Sequence, residues 1–357
     1  MVVIKMKFKI INPATELEIA TYTAMSVTEV TENIQKSQHA FAVWSQTSFP
    51  ERQKVMLKVA EILEKNQTKY ANLIAQEMGK PVTFGKAEIT KCALVVRHYA
   101  KMAEKYLQSE YIHTNLTESF VTYQPAGAIF GIMPWNFPFW QVFRFAAPNI
   151  MAGNVVILKH ASNCIGAGEA IAEIFAKAGC VANIFQHFII DSDLAATVIA
   201  NPFVAGVTLT GSERAGSVVA STAGQYLKKS VLELGGNDPY IVLADADLDL
   251  AAQNIVTSRL NNSGQVCISA KRIIVVKKIA AQLKAKILEL TQTYKFGDPL
   301  DENTTFGPLA RSDLRALVHK QVQESINAGA TLVLGGTIPE QKGYYYPPTI
   351  LYDVKPG

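Results

Sequence analysis

The sequence predicts an α/β protein with a mostly parallel sheet, followed by a second α/β domain. Three observations carry this. From Gly127 onward short apolar runs alternate with helical patterns, the signature of strand–helix–strand units. A flexible turn at Gly235–Gly236 ends one strand, and a second alternation starts beyond it near "PYIVLA". The first hundred or so residues read as helical, an arrangement that suits helices packed on a sheet.

The opening "MVVIKMKFKI" interleaves Lys5, Lys7 and Lys9 with apolar residues and reads as a strand. It has no uninterrupted apolar stretch of signal-peptide length, and no later stretch is long enough to span a bilayer. Glu51 to Lys80 carries apolar residues at helical spacing and stops at Gly79 and Pro81. A second helix fills Val82 to Leu107, and "NLTESFVTYQP" turns extended and polar, like an exposed arm. "GAIFGIM" and "NVVILK" are strands, and the helix "IGAGEAIAEIFAKAG" follows them. Next come "NIFQHFII", the strand "VAGVTLT", a helix from about Glu213, and the strand "SVLEL". Past the glycine pair the pattern gives a helix from Leu248 to about Leu260, the strand "RIIVV", and a helix from Ala280 to Tyr294.

The totals narrow the function. A chain of 357 residues with 49% hydrophobic composition is ample for two cores. A net charge of +4 without any run of five basic residues argues against nucleic acid and membrane surfaces as partners. The four cysteines show no CxxC pairing, which argues against a metal or disulfide framework and for a reduced, cytoplasmic setting.

Ligands on such sheets bind at the carboxyl ends of strands. "VAGVTLT" runs into "GSERAG", where Gly211 and Gly216 bracket the turn into a helix whose N-terminus suits a phosphate. It is not a Walker loop, because Ser217 stands where Lys would follow the second glycine, and an ordinary N-cap at Ser212 explains it equally well. "VILKHAS" ends a strand in Lys159, whose ammonium either points to water or reaches a nucleotide's ribose or phosphate. Ser162 is neutral; a carboxylate there would repel a 2′-phosphate, and a hydroxyl does not. Glu233 closes the apolar strand of "VLELGG" and is either a structural carboxylate or a general base. In "MPWNFPFW", Asn136 is an amide inside a rigid apolar frame, a candidate oxyanion donor. Cys267 follows the helix-stop sequence "NNSG"; a thiol is often core filler, but this one sits in a Gly-containing polar turn. The six histidines show no signature of a Cys–His hydrolase.

"PWNFP", "LTGS", "LELGG" and "GQVC" occur in that order, with 33 residues between Glu233 and Cys267, and with "INPAT", "FGPLA" and "GYYYPPT" around them. Together they resemble the NAD(P)-dependent aldehyde dehydrogenase family over essentially the whole chain. "LKHAS", "LELGGNDP" and "YYPPT" are most similar to its bacterial succinate-semialdehyde branch. The resemblance implies an aldehyde-dehydrogenase-like fold: a Rossmann-like cofactor domain (residues 1–112 and 125–235), an oligomerisation arm (113–124) and a catalytic domain (236–357). It implies Cys267 as nucleophile, Glu233 as general base, and Asn136 with the Cys267 backbone N–H as oxyanion hole. Trp135, Lys159, Ser162, Gly211, Ser212 and Leu234 then match the cofactor contacts, for NADP or NAD. Arg144 falls where the family's succinate-semialdehyde members bind the substrate carboxylate.

The resemblance also implies departures. The family's later E-x-F-G-P segment has no counterpart, because "TFGPLA" at Thr305 to Ala310 is preceded by Thr304. The catalytic domain and part of the oligomerisation element are therefore expected to be incomplete, with apolar surface left open and activity poor, and a homo-oligomer is expected of the full-length protein. A remnant that binds only nucleotide or a partner chain is the competing expectation, and a relative acting on glutarate semialdehyde is a third. A second substrate arginine is replaced by Asn261, and a second cysteine two residues past the nucleophile by Ser269, so no disulfide lock is expected.

Overall fold

The computed structural model describes residues 5–355. The described residues form two compact units: one takes residues 5–9, Thr21–Tyr70 and Lys86–Leu234, the other Ile10–Ala20, Ala71–Gly85 and residues 235–355.

The first elements described are a two-stranded sheet of β1 (Lys7–Ile11) and β2 (Glu18–Thr23); the first four residues of the expected opening strand lie outside the described residues. Helix α1 (Val27–Trp44) starts at a capping box, in which Ser26 Oγ accepts from the Glu29 N–H and Glu29 returns the bond to the Ser26 N–H. Helix α2 (Phe49–Lys65) repeats the device with Ser48 and Glu51 and has a proline in its first turn. The single helix expected over 51–80 is instead two, α2 and α3 (Gln67–Met78). Asn66 breaks it: its backbone leaves the helical region and its Nδ2 donates to the Ile62 carbonyl at 2.8 Å. Helix α4 (Val82–Tyr106) follows, then the exposed hairpin of β3 (Glu110–Tyr111) and β4 (Phe120–Val121).

The first unit is organised on a five-stranded sheet built from β5 (Ala128–Ile132), α5 (Trp140–Met151), β6 (Val155–Lys159), α6 (Ile165–Lys177), β7 (Phe185–His187), α7 (Ser192–Ala200), β8 (Val204–Thr210), α8 (Glu213–Gln225) and β9 (Lys229–Glu233). The strand order is β7-β6-β5-β8-β9, and every pairing is parallel. The chain starts in the middle, winds one way through β6 and β7, then returns to add β8 and β9 on the other side. The gap between the β5 and β8 carboxyl ends is thus a topological switch point. Val155 through Leu158 are fully buried, as expected of a strand covered on both faces. The expected strand "NIFQHFII" shortens to three residues. α5 lay outside the sequence reading; it carries Pro148 and follows a proline-rich loop. The first two helices are tied to it: Trp44 Nε1 donates to the Ile150 carbonyl at 2.9 Å and Arg52 Nη1 to the Met151 carbonyl at 3.0 Å.

The second unit contains β10 (Pro239–Val242), α9 (Leu248–Leu260), β11 (Arg272–Val275), α10 (Lys277–Gln292), α11 (Ser312–Asn327), β12 (Thr331–Leu334) and β13 (Ile350–Tyr352). β10 and β11 pair in parallel, β12 and β13 antiparallel. α9 spans the expected residues because Asp247 caps it, accepting from the Asp249 and Leu250 N–H groups. Val242, Ile255, Val256, Leu283 and Ile287 form its core, while Ile241, Leu243 and Ile274 stand exposed. Residues 71–85 join this unit through a close backbone approach. A Cβ on Gly307 would lie 2.2 Å from the Gly79 carbonyl oxygen, and Tyr344 N–H donates to Pro13 at 2.7 Å. Among the described residues, no helix is long and apolar enough to cross a membrane.

Candidate active site

In the first unit the carboxyl ends of β5, β6, β8 and β9 carry Trp135 and Asn136, Lys159 and Ser162, Gly211 and Ser212, and Glu233 and Leu234. Register fixes their order: Ile132 pairs with both Lys159 and Leu209, and Thr210 pairs with Glu233. The Met133 N–H donates to the Lys159 carbonyl at 3.0 Å, and the Gly211 N–H to the Glu233 carbonyl at 2.9 Å, so the strand ends stay joined beyond the ladder.

The loop bearing Trp135 and Asn136 is clamped by three side chains. Cys164 Sγ contacts the Trp135 carbonyl at 3.8 Å. His160, 3% exposed, donates from Nε2 to the Pro138 carbonyl at 2.9 Å, while its Nδ1 accepts from the Ala161 N–H at 2.8 Å. A carbonyl only accepts and an amide only donates, so the ring is the neutral Nε2–H tautomer. Burial pushes its pKa down to about 3. Glu88, on α4 and 4% exposed, accepts from the Phe139 and Trp140 N–H groups, each at 2.9 Å. Those amides open α5, where a carboxylate is favoured by the helix dipole. Asn136 itself is half-buried, with its Oδ1 withdrawn from solvent.

Lys159 is half-buried, and burial pushes its ammonium down, opposed by Asp191. Ser162 is exposed beside it. Ser212 caps α8, accepting from the Ala215 N–H at 3.3 Å, so the ordinary N-cap reading holds. Gly216 lets α8 lie against Leu234: a Cβ there would meet Leu234 Cδ2 at 2.6 Å. A Cβ on Gly211 would meet only Leu209, at 3.6 Å, which leaves the approach to the α8 N-terminus open. A dinucleotide fits this set: a cation and a hydroxyl at one strand end, and an open helix N-terminus across the switch point.

The structure brings Arg144 and Glu233 together. Arg144 Nη1 lies 3.9 Å from Glu233 Oε2, and Nη2 donates to Thr210 Oγ1 at 3.2 Å. The arginine comes from the first turns of α5 and the carboxylate from the end of β9, with Thr210 as Glu233's register partner.

Cys267 belongs to the second unit, where it is exposed in a turn after α9. The segment before it is bent sharply: Asn262 (φ 51°) and Ser263 (φ 54°) are both left-handed and both buried. Two successive non-glycine residues in that region cost energy, and the surroundings must enforce it. Ser263 Oγ accepts from the Gly307 N–H at 2.9 Å and donates to the Gly307 carbonyl at 3.0 Å. Gln265 Oε1 accepts from the Ala310 N–H at 3.0 Å, so "FGPLA" serves as the anchor of this loop. Arg259 Nη1 donates to the Gly264 carbonyl at 3.1 Å and to Ser269 Oγ at 3.2 Å, spanning Cys267 on either side. Lys271 Nζ bonds the Cys267 carbonyl. The thiol therefore stands on a loop fixed at both ends.

Sequence reasoning missed Glu88, His160, Thr210 and Arg259. Glu88 had a signal: it is a lone carboxylate beside Ile89 and Cys92 on the buried side of α4. His160 and Thr210 act through partners 22 and 66 positions away, and Arg259 through the turn that folds Gly264 and Ser269 back on it.

Residues 4–357 match the model of the aldehyde dehydrogenase family. The chain is 47% identical over 347 residues to a Synechocystis protein named as a probable succinate-semialdehyde dehydrogenase (NADP(+)), covering 97% of this chain and 76% of that one. It is 39% identical to the succinate semialdehyde dehydrogenase (NAD(P)+) of Escherichia coli, covering 97% of this chain and 75% of that one. The solved succinic semialdehyde dehydrogenase of Streptococcus pyogenes, in complex with NADP+, superposes with a TM-score of 0.94 at 36% identity, covering 96% of this chain and 76% of that one.

Proposed function

The chain belongs to the aldehyde dehydrogenase family, and on that premise we propose that it oxidises succinate semialdehyde to succinate with NADP+ or NAD+. Arg144 is the observation that carries the substrate choice. Its guanidinium is part-exposed at the carboxyl edge of the cofactor sheet beside Glu233, where a planar fork suits a carboxylate.

The thiolate of Cys267 attacks the aldehyde carbon; a C–S bond forms and the carbonyl electron pair moves to oxygen. The Asn136 amide and the Cys267 backbone N–H hold that oxyanion. Lys159, Ser162, Gly211, Ser212, Trp135 and Leu234 would hold the dinucleotide, which when bound would supply the hydride acceptor for oxidation of the thiohemiacetal to the thioester. Glu233 takes a proton from water, water adds to the thioester, the C–S bond breaks and the thiolate is regenerated. Each turnover converts aldehyde, NADP+ and water to carboxylate, NADPH and two protons. A cytoplasmic setting keeps the exposed Cys267 thiol reduced. The hairpin arm, with Tyr111, Leu116 and Phe120 exposed, serves self-association.

The test is NADP+ reduction by the purified protein across succinate semialdehyde, glutarate semialdehyde and neutral aldehydes, repeated with Arg144→Ala. The reading expects KM for succinate semialdehyde to rise by about 10- to 100-fold, the worth of a charged hydrogen bond, with kcat/KM for a neutral aldehyde little changed. Equal KM effects on both remove Arg144 from the substrate site.

A further inference from the structure

We propose that the substrate's own carboxylate releases the base: by occupying Arg144 it takes the guanidinium from Glu233, so that deacylation is fast only for aldehydes that carry an acid. This rests on the function proposed above and concerns the regulation of the same site.

Three observations point to it. Arg144 and Glu233 face each other as a pair, at 3.9 Å. Arg144 is held in that position from the other side by Thr210, whose backbone is fixed opposite Glu233 in the β8–β9 ladder. The pair is also weak, since its side chains are 37% and 57% exposed and the separation is too long for a hydrogen bond. A carboxylate that meets the guanidinium fork head-on makes two charge-assisted hydrogen bonds and outcompetes a single loose contact. Glu233 is then left beside a second negative charge, and electrostatics favours its turning away from Arg144.

A carboxylate held toward the guanidinium is turned away from the water it must meet at hydrogen-bond distance to take its proton. A neutral aldehyde leaves Glu233 so held, and a semialdehyde does not. Discrimination between the two is then written into the hydrolysis step as well as into binding, which a simple carboxylate pocket would not achieve.

The experiment divides the substrate in two. Acetaldehyde and acetate together carry the four carbons of succinate semialdehyde. With the purified full chain and NADP+, acetaldehyde alone should give a burst of NADPH followed by slow turnover, because acylation outruns hydrolysis. Saturating acetate should raise the slow phase by about fivefold, the upper range for releasing an exposed ion pair, and leave the burst amplitude unchanged. Chloride at equal ionic strength should not. Arg144→Gln should turn over acetaldehyde at the acetate-stimulated rate and ignore acetate, and Arg144→Lys should retain part of the response. If acetate only inhibits, or if Arg144→Gln is no faster than wild type on acetaldehyde, the proposal is overturned. Wild-type oxidation of succinate semialdehyde, measured in the same series, shows whether the functional reading itself stands.

Discussion

His160 Nε2 donates to the Pro138 carbonyl at 2.9 Å, two residues beyond Asn136, so a histidine at the end of β6 fixes the loop at the end of β5. Together with Glu88 on the next two amides, it leaves that loop few ways to move. On the function proposed above, His160 is a positioning residue, acting through the backbone on Asn136, the proposed oxyanion donor.

His160→Phe should lower kcat by up to about 100-fold, the effect of an ångström-scale misplacement, with KM for aldehyde changing much less. His160→Gln, whose amide still donates, should recover part of kcat. Steady-state kinetics of both variants at saturating NADP+ check this. A KM-dominated effect, or no rescue by Gln, would place His160 outside the positioning of Asn136.

The same ring sets an acid limit on stability. Its pKa is near 6.5 in an unfolded chain and is pushed down to about 3 here, first by burial, with His187 and Lys159 adding to it against the Pro138 hydrogen bond. Between those values the unfolded state binds the proton and the native state does not, so acid favours unfolding. The contribution is complete above about pH 6.5 and is lost as pH falls toward 3, with a slope of at most about 1.4 kcal/mol per pH unit. Urea titrations at pH 7, 6 and 5 should show wild type losing stability more steeply than His160→Gln. Parallel losses would mean that the buried ring is not the acid-sensitive group.

Asn136→Ala should reduce kcat by about 10²- to 10³-fold, the usual consequence of removing one oxyanion donor, while leaving NADP+ affinity near wild type. Asn136→Asp should be at least as damaging, because a carboxylate opposes the developing negative charge. Fluorescence titration with NADPH separates the two readouts. A large loss of nucleotide affinity with kcat preserved would move Asn136 from the oxyanion to the cofactor.

How much of this was legible depends on sequence distance. α9 was readable within its ends because its signals are local, and Asp247 supplies the cap that fixes its start. The β5, β6 and β8 strands were readable because a buried parallel strand is a continuous apolar run between turns. Asn136, Glu233 and Cys267 stood out through short motifs at family-like spacing. The clamps on those motifs did not, since His160 and Pro138 are 22 positions apart and Glu88 and Phe139 are 51 apart. α5 has no such plain signal, because it follows the proline-rich loop directly and carries Pro148 within it. The left-handed pair at Asn262 and Ser263 has no local signal beyond the Asn residues themselves, because its cause is the hydrogen bonding to Gly307.

Residues 71–85 approach Pro308 through a contact at Gly79 that leaves no room for a Cβ, and this gives a stability test. Gly79 has φ +78°, and a Cβ there would lie 2.7 Å from Pro308 Cγ and 2.9 Å from the Pro308 carbonyl oxygen. Alanine would meet both a left-handed backbone and a ring that cannot swing aside, so Gly79→Ala should destabilise by about 1–3 kcal/mol. The cost should reach the Cys267 loop, because residues 307 and 310 anchor it through Ser263 and Gln265. Gly224 is the control: it lies inside α8, and a Cβ there meets nothing within 4 Å, so Gly224→Ala should stabilise by about 0.5–1 kcal/mol. Urea midpoints for the two variants should move in opposite directions. Only Gly79→Ala should make the Cys267 thiol react differently with a maleimide probe. If both variants shift together, or if Gly79→Ala leaves thiol reactivity at the wild-type rate, the 79–308 contact does not support the loop that carries Cys267.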